Sequence, residues 1–320
     1  MISNYCIILA TILKRMSQQP KTILVVLAFF SIYVIWGSTY LMNKIAVTEL
    51  PPFKLAAIRF LSASFLIFII SKIMGISIKI TRKQFKNTII AGFLFLTFGN
   101  GVVVWALKYV DSGFAALEIS AQPLVVLLLM RIFQRKKIQP MSLVGVFLGM
   151  IGIYLLVSQQ HLISNENSII GLTMIFACMI SWGCGSIFVG KADLPSNYFI
   201  NTGYQMLMGG IMLLIASTVF GENWINPMEW SYEVQLSMIL LITFGSIIAF
   251  TSFNYLLKFV SPEKVATSTY VNPIIALILG WYFLEEQITT QSIVAAVILL
   301  TGVYFINTAK KITLHSRFKK

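Results

Sequence analysis

Apolar stretches of about 20 residues follow one another along nearly the whole of this 320-residue chain, and that succession narrows the fold more than any other feature. Hydrocarbon offers the backbone no water, so a segment lying in it must satisfy its own N–H and C=O groups. A helix of roughly 20 residues does this and also spans the bilayer. Hydrophobic residues make up 58% of the sequence and charged ones 11%, far from the balance a soluble surface needs. The chain therefore reads as an all-α integral membrane protein. Ten transmembrane helices can be drawn, at about 22 to 42, 53 to 71, 87 to 106, 112 to 131, 141 to 158, 169 to 189, 198 to 220, 235 to 256, 263 to 284 and 288 to 308. The segments between them are too short to hold a separate soluble domain.

The stretch from Trp105 to Tyr154 is written again from Tyr255 to Tyr304, without a gap. Leu107-Lys108 answers Leu257-Lys258, Pro123 answers Pro273, and Gly152-Ile153-Tyr154 answers Gly302-Val303-Tyr304. Internal repetition of this length means that one structural unit is built twice. The first repeat is expected over 22–158 and the second over 169–308, each with five helices, between an N-terminal extension at 1–21 and a basic tail at 309–320. Met16 opens the sequence MSQQPK just before the first span, so the first fifteen residues read as an upstream extension.

Lys and Arg orient the spans, because cytoplasmic loops retain positive charge. With the N-terminus inside, 20 of the 24 basic residues fall in inner segments and only Lys44, Lys54 and Lys108 in outer ones, whereas eight of the eleven acids lie outside. Both termini are thus expected in the cytoplasm, and the net charge of +13 expresses topology and calls for no nucleic-acid partner. Five spans per repeat, an odd number, make the second copy enter the membrane from the opposite side. Two inverted five-helix repeats are a construction of secondary transporters, which bind substrate near the midplane where the halves meet.

The first spans of the halves echo one another more faintly. Trp36-Gly37-Ser38 followed by Lys44 matches Trp182-Gly183-Cys184-Gly185-Ser186 followed by Lys191, and Leu50-Pro51-Pro52-Phe53 matches Leu194-Pro195 leading to Phe199. The N-terminal run IWGSTYLMNKIAVTELPPFKLAAIRF, the segments ending in Pro123 and Pro273, and the glycine-rich fifth span together resemble the drug/metabolite transporter superfamily in its ten-helix, EamA-type form. The resemblance covers about residues 22 to 308. It implies export of amino acids, other metabolites or toxic cations across a plasma membrane, the bacterial inner membrane. The last span departs from the fifth, with Ala295 and Leu299 where Gly145 and Gly149 stand.

Polar groups inside spans are costly, about 2.5 to 3.5 kcal/mol for a charge at a helix centre on insertion scales, so each needs a use. Arg59 and Glu118 are the charges well inside runs; Asn100, Gln122, Gln205, Asn254 and Asn272 are the main amides. Each amide has two uses open to it, bonding to a neighbouring helix or facing a substrate. Pro123 and Pro273 each remove a helical hydrogen bond and free a carbonyl, next to Gln122 and Asn272 respectively, which suits a polar cavity at a pseudo-symmetric centre and equally a simple kink. Trp36, Trp182, Tyr204 and Tyr270 are candidates for an aromatic lining, while Trp105 and Trp281, near the outer ends of their spans, read as interfacial belt residues. Arg59 and Glu118 both sit about six residues below the outer face, roughly 9 Å, so an Arg59–Glu118 pair is expected. That pair would gate the outer side or meet the charged ends of a zwitterion, with Glu118 open to a coupling proton. Gly145, Gly149 and Gly152 read as a close-packing face.

The three cysteines lack metal or redox spacing, His161 and His315 lie in a loop and in the tail, and no glycine loop with a lysine is present to hold a nucleotide phosphate. No cofactor or metal and no catalytic residue is expected. The reading is a secondary transporter that exports small amphiphilic metabolites such as amino acids by alternating access. A passive facilitator or channel, efflux of drugs and organic cations, and, furthest from the residues, an intramembrane enzyme on lipid-linked substrates are the competitors.

Overall fold

The computed structural model describes residues 22–135, 140–158, 166–260, 265, 268–269 and 271–317. Among these residues every regular element is helical. The helical segments are α1 (Thr22–Ala46), α2 (Pro52–Ile73), α3 (Arg82–Ala106), α4 (Ser112–Gln134), α5 (Pro140–Val157), α6 (Glu166–Val189), α7 (Tyr198–Val219), α8 (Tyr232–Phe259), α9 (Asn272–Leu284) and α10 (Thr290–Arg317). Seven of these helices, α1 to α4 and α6 to α8, are long and apolar enough to cross a membrane, and Pro140–Gly152, Asn272–Leu284 and Thr290–Gly302 are shorter apolar helices. Phe65, Phe93, Phe147, Phe176, Ile215, Phe244 and Val297 point outward and are exposed. An apolar exterior drawn from so many helices suits lipid and would be a liability in water. The chain is a multi-pass membrane protein.

Local chemistry sets the helix ends. Pro52 opens α2 at the first turn, where its missing N–H is no loss, and Thr81 with Gln84 forms a capping box on α3. Asn197 accepts from Phe199 N and Ile200 N to start α7. Gly75 (φ 67°) and Gly221 (φ 69°) stop α2 and α7 in the left-handed conformation that glycine adopts without penalty.

The expected kink at Pro123 is a break: the helix of α4 stops after Ile119, turns through Ser120 and Ala121, and restarts at Gln122. In α9 the proline stands in the first turn of the helix, which begins at Asn272; in the part of the drawn span before it, Val265 is helical and 263–264, 266–267 and 270 lie outside the described residues. Three further irregularities carried no sequence signal. Wider π-helical turns occupy Ser31–Ile35 of α1, Phe93–Phe98 of α3 and Leu241–Ile248 of α8. Such turns leave carbonyls off the regular ladder and open the helix to insertions.

Backbone features recur at the 150-residue offset of the sequence repeat. Helix restarts at Gln122 and at Asn272, and left-handed caps fall on Arg135 (φ 52°) and Glu285 (φ 55°). The packing recurs as well. Helix α5 lies along α10 and α2 along α7; α1 packs on α8 and α9 as α6 packs on α3 and α4; α2 meets α8 as α7 meets α3. Replacing each helix by the one five places away carries each of these pairs onto itself or onto another of them. At the α5–α10 seam a methyl group on Gly302 would lie 2.7 Å from Gly145 O, and one on Gly152 would lie 2.6 Å from the Leu299 side chain.

The loops gather into two chemically distinct ends. At one, Glu222 accepts from Phe53 N (3.0 Å) and Lys54 N (2.8 Å) at the start of α2. Glu286 there accepts from Ser112 N (2.8 Å) and Gly113 N (3.1 Å) at the start of α4, and Glu49 accepts from Ser231 N. Lys44 Nζ closes the other side of that turn by donating to Leu107 O (2.7 Å) and Val110 O (2.8 Å). Each carboxylate sits at the positive end of a helix dipole and takes up orphan N–H groups. The opposite end carries Lys79, Arg82, Lys83 and Lys258, with Asn87 donating to Asp193 O and Lys258 to Ser196 O.

Candidate functional site

The π turn of α1 carries the chain into Trp36, and from there Trp36, Thr39, Tyr40 and Asn43 recur at helical spacing on one face, which lines a cavity of about 120 Å³ between the helices. The opposing walls come from Arg59 of α2, Asn100 of α3, Gln122 of α4, Trp182 of α6, Phe250 and Phe253 of α8, and Asn272 of α9. Both sequence repeats therefore contribute walls.

The two proline-adjacent amides play matching parts. Gln122 Nε2 donates to Met179 O (3.0 Å). The Asn272 amide nitrogen is assigned to the side that faces carbonyls and donates to Tyr33 O (2.8 Å), Ser268 O (3.1 Å) and Ile32 O (3.2 Å). Tyr33 and Met179 each lie three residues before the equivalent tryptophans Trp36 and Trp182. In both repeats an amide at a helix restart thus holds a backbone carbonyl one turn ahead of the cavity tryptophan.

The tryptophans meet. Their rings lie edge to face at 5.8 Å, and both contact Phe253, at 5.1 Å for Trp36 and 5.6 Å for Trp182, with Phe95 at 4.9 Å behind Trp182. Trp36 Nε1 donates to Gly245 O (3.3 Å) in the π turn of α8. Gly245 permits the approach of three helices, since a methyl group there would lie 2.8 Å from Thr39 Cγ2 and 3.2 Å from Arg59 Nη2.

Arg59 is buried at 3% exposure. Its Nε donates to Ser246 Oγ (2.8 Å), its Nη1 reaches Asn43 Oδ1 (3.4 Å), and its guanidinium lies 5.0 Å from the Phe60 ring. Asn43 is itself fixed by donating to Thr39 O (2.8 Å). The expected Arg59–Glu118 pair is not formed. Shared depth in the membrane put the two side chains at one level, but Arg59 turns to the π turn of α8 instead, where Ser246 supplies an acceptor. Glu118 is buried away from the cavity wall and its Oε2 has no hydrogen-bond partner.

The remaining sequence candidates separate. Asn100 lines the cavity where α3 breaks after its π turn, and its buried Oδ1 has no partner. Gln205 and Asn254 lie outside the lining in a buried amide network, in which Asn201 Nδ2 donates to Asn254 Oδ1 (3.2 Å), Gln205 Nε2 to Asn201 Oδ1 (3.0 Å) and Asn254 Nδ2 to Thr202 Oγ1 (3.0 Å). Gln205 Oε1 is buried in this network without a partner. Tyr204 sits at the basic end, donating to Ile78 O (3.0 Å) and packed on Phe68; Tyr270 lies outside the described residues. Tyr40, Asn43, Ser246, Phe250 and Phe253 escaped the sequence reading. Trp36, Thr39, Tyr40 and Asn43 could have been found by their i, i+3, i+4, i+7 spacing; nothing local marks the phenylalanines in so apolar a helix. Among the described residues no group of three His, Cys, Asp or Glu side chains is placed to hold a metal.

A cavity walled by two repeats of a helical membrane bundle and lined by aromatic rings and amides suits a membrane transporter, the class to which comparisons with known proteins assign the chain. The chain belongs to the EamA-like transporter family, whose model matches residues 23–158 and 169–308, one match on each repeat. It is 35% identical over 254 residues to YedA, described as an uncharacterized inner membrane transporter of Escherichia coli (strain K12), covering 79% of this chain and 80% of that protein. It is 23% identical over 284 residues to YoaV, an uncharacterized transporter of Bacillus subtilis (strain 168), covering 89% and 96% respectively. A solved crystal structure superposes with a TM-score of 0.65 at 17% identity, covering 92% of this chain and 99% of the other, a likeness of fold.

Proposed function

We propose that the chain is a ten-span secondary transporter of two inverted five-helix halves, which exports small amphiphilic metabolites, amino acids among them, by alternating access. The observation that carries this reading is the shared cavity, with Gln122 and Asn272 holding equivalent carbonyls from opposite halves. The exchange of helix pairs between the halves supports two related units, because a rearrangement available to one half is then available to the other, and five spans per half make the relation an inverted one. With the acid-rich end outside, this conformation is latched there: Glu222 and Glu286, from the second half, cap α2 and α4 of the first. The start of α7 at the basic end is instead capped within its own chain segment by Asn197.

Exporter and passive facilitator differ in whether solute moves uphill. Purified protein in proteoliposomes, given a panel of amino acids and quaternary amines with and without a pH gradient, is expected to accumulate solute only when the gradient is imposed. Equilibration at the same rate without a gradient would establish facilitation. Glu118, a buried carboxyl with an unpartnered oxygen, is the group proposed to exchange the coupling proton, so Glu118→Gln is expected to abolish gradient dependence.

A further inference from the structure

We infer that the cavity selects a monoanionic solute with an aromatic or broad apolar body, Arg59 being its anchor, and that an ammonium group on the solute is dispensable. This rests on the reading of the cavity as the solute site and narrows it. Among the described lining residues Arg59 is the only charged one. A guanidinium offers five N–H donors. Here the protein engages two of them, through Ser246 Oγ and Asn43 Oδ1, both neutral acceptors. Three N–H groups are left without a protein acceptor, and the positive charge meets the Phe60 ring but no carboxylate, which leaves enough for a two-pronged grip on a carboxylate. A buried cation without a counter-ion is unfavourable, and a bound anion relieves it.

The rest of the wall limits what carries the charge. Trp36, Trp182, Phe250 and Phe253 supply flat apolar faces, which favour a ring or branched hydrocarbon. A single cation balances a single negative charge, so a dianion such as a phosphate monoester would bring unbalanced charge against these rings. Glu118, the carboxylate that would have met an ammonium, does not line the cavity. The aromatic faces alone would attract organic cations, but Arg59 beside them repels any.

Three probes share a phenylethyl body and differ in the charged groups it bears: 3-phenylpropionate a carboxylate, phenylalanine a carboxylate and an ammonium, 2-phenylethylamine an ammonium. Binding to the purified full-length protein is read by intrinsic fluorescence, and uptake by flux of the labelled compounds in proteoliposomes. The expected result is that the acid binds and moves at least as well as the zwitterion, with the amine on the order of tenfold weaker or worse, a difference of about 1.4 kcal/mol. Arg59→Gln should erase the preference and Arg59→Lys should keep part of it; should Arg59→Gln fail to fold, the wild-type ranking decides alone. An amine taken up as well as the acid, with the signal still lost in Trp36→Ala, overturns the anion inference and leaves the cavity as the solute site. Binding or flux indifferent to both Arg59 and Trp36 changes, or absent for all three probes, overturns both.

Discussion

The side chains that matter most here are polar atoms with few places to go. Gln122 and Asn272 were visible in the sequence because an amide beside a proline, repeated at a fixed offset, is conspicuous among apolar residues. What the sequence withheld is that each amide both lines the cavity and secures a carbonyl of another helix. Truncation should therefore cost stability as well as transport. A buried hydrogen bond contributes about 1 kcal/mol net, and a stranded carbonyl raises the loss toward 1–3 kcal/mol. Gln122→Ala and Asn272→Ala are each expected to lower the melting temperature of detergent-solubilised protein and to slow flux. Unchanged melting with slow flux would assign the amides to substrate alone.

Arg59 and Glu118 teach the opposite lesson. Depth along a helix is legible from residue counts, but the rotation of one helix against another is not, and Arg59 reaches Ser246 of α8 instead of Glu118. Groups that share neither an ion pair nor a hydrogen bond should act independently, adding within about 0.5 kcal/mol. Thermal stability of Arg59→Gln, Glu118→Gln and the double variant should show that additivity. A double variant markedly more stable than the sum would mean that the two charges communicate.

At the scale of elements, apolar run length located the helices well, because the bilayer allows little else. An end moved where specific groups act: Thr81 and Gln84 start α3 at Arg82, earlier than its apolar run. The π turns stayed hidden, since one residue more per turn leaves no mark in a uniformly apolar run. Glu222 and Glu286 were legible as outer-loop acids but not as caps, because a cap supplied from 168 or more residues away is a tertiary contact. A carboxylate at a helix N-terminus contributes roughly 0.3–1 kcal/mol, and up to about 2 kcal/mol when partly buried. Glu286→Gln keeps an acceptor for Ser112 and removes the charge, so it should lower thermal stability by less than Glu286→Ala. If the acid-rich end is the latched gate, both should also raise labelling of a cysteine placed at the half-buried Asp111. Equal labelling in all three proteins would separate the cap from any gate.

At the scale of the whole molecule, the repeat spacing and the charge asymmetry foreshadow one arrangement. Loops rich in acid meet at one end of the bundle and loops rich in Lys and Arg at the other, and helices from both repeats enclose one cavity. In the proposed orientation, retention of Lys and Arg in the cytoplasm puts the basic end inside, and the direction in which the latched face points follows from it. Glu229 and Lys83 are both exposed and lie at opposite ends, so a cysteine at either is reachable without disturbing the core. A membrane-impermeant maleimide applied to intact cells is expected to label Glu229→Cys and to spare Lys83→Cys until the membrane is permeabilised. Cys178 is buried, and Cys184 packs against the core; with Cys6, which lies outside the described residues, replaced by serine, background labelling should be low. The reverse pattern would turn the transporter over in the membrane, making Glu222 and Glu286 the latch of the cytoplasmic side and overturning the proposed orientation. Labelling of both positions from one side would mean that Lys83 and Glu229 share a face, which the bundle does not permit.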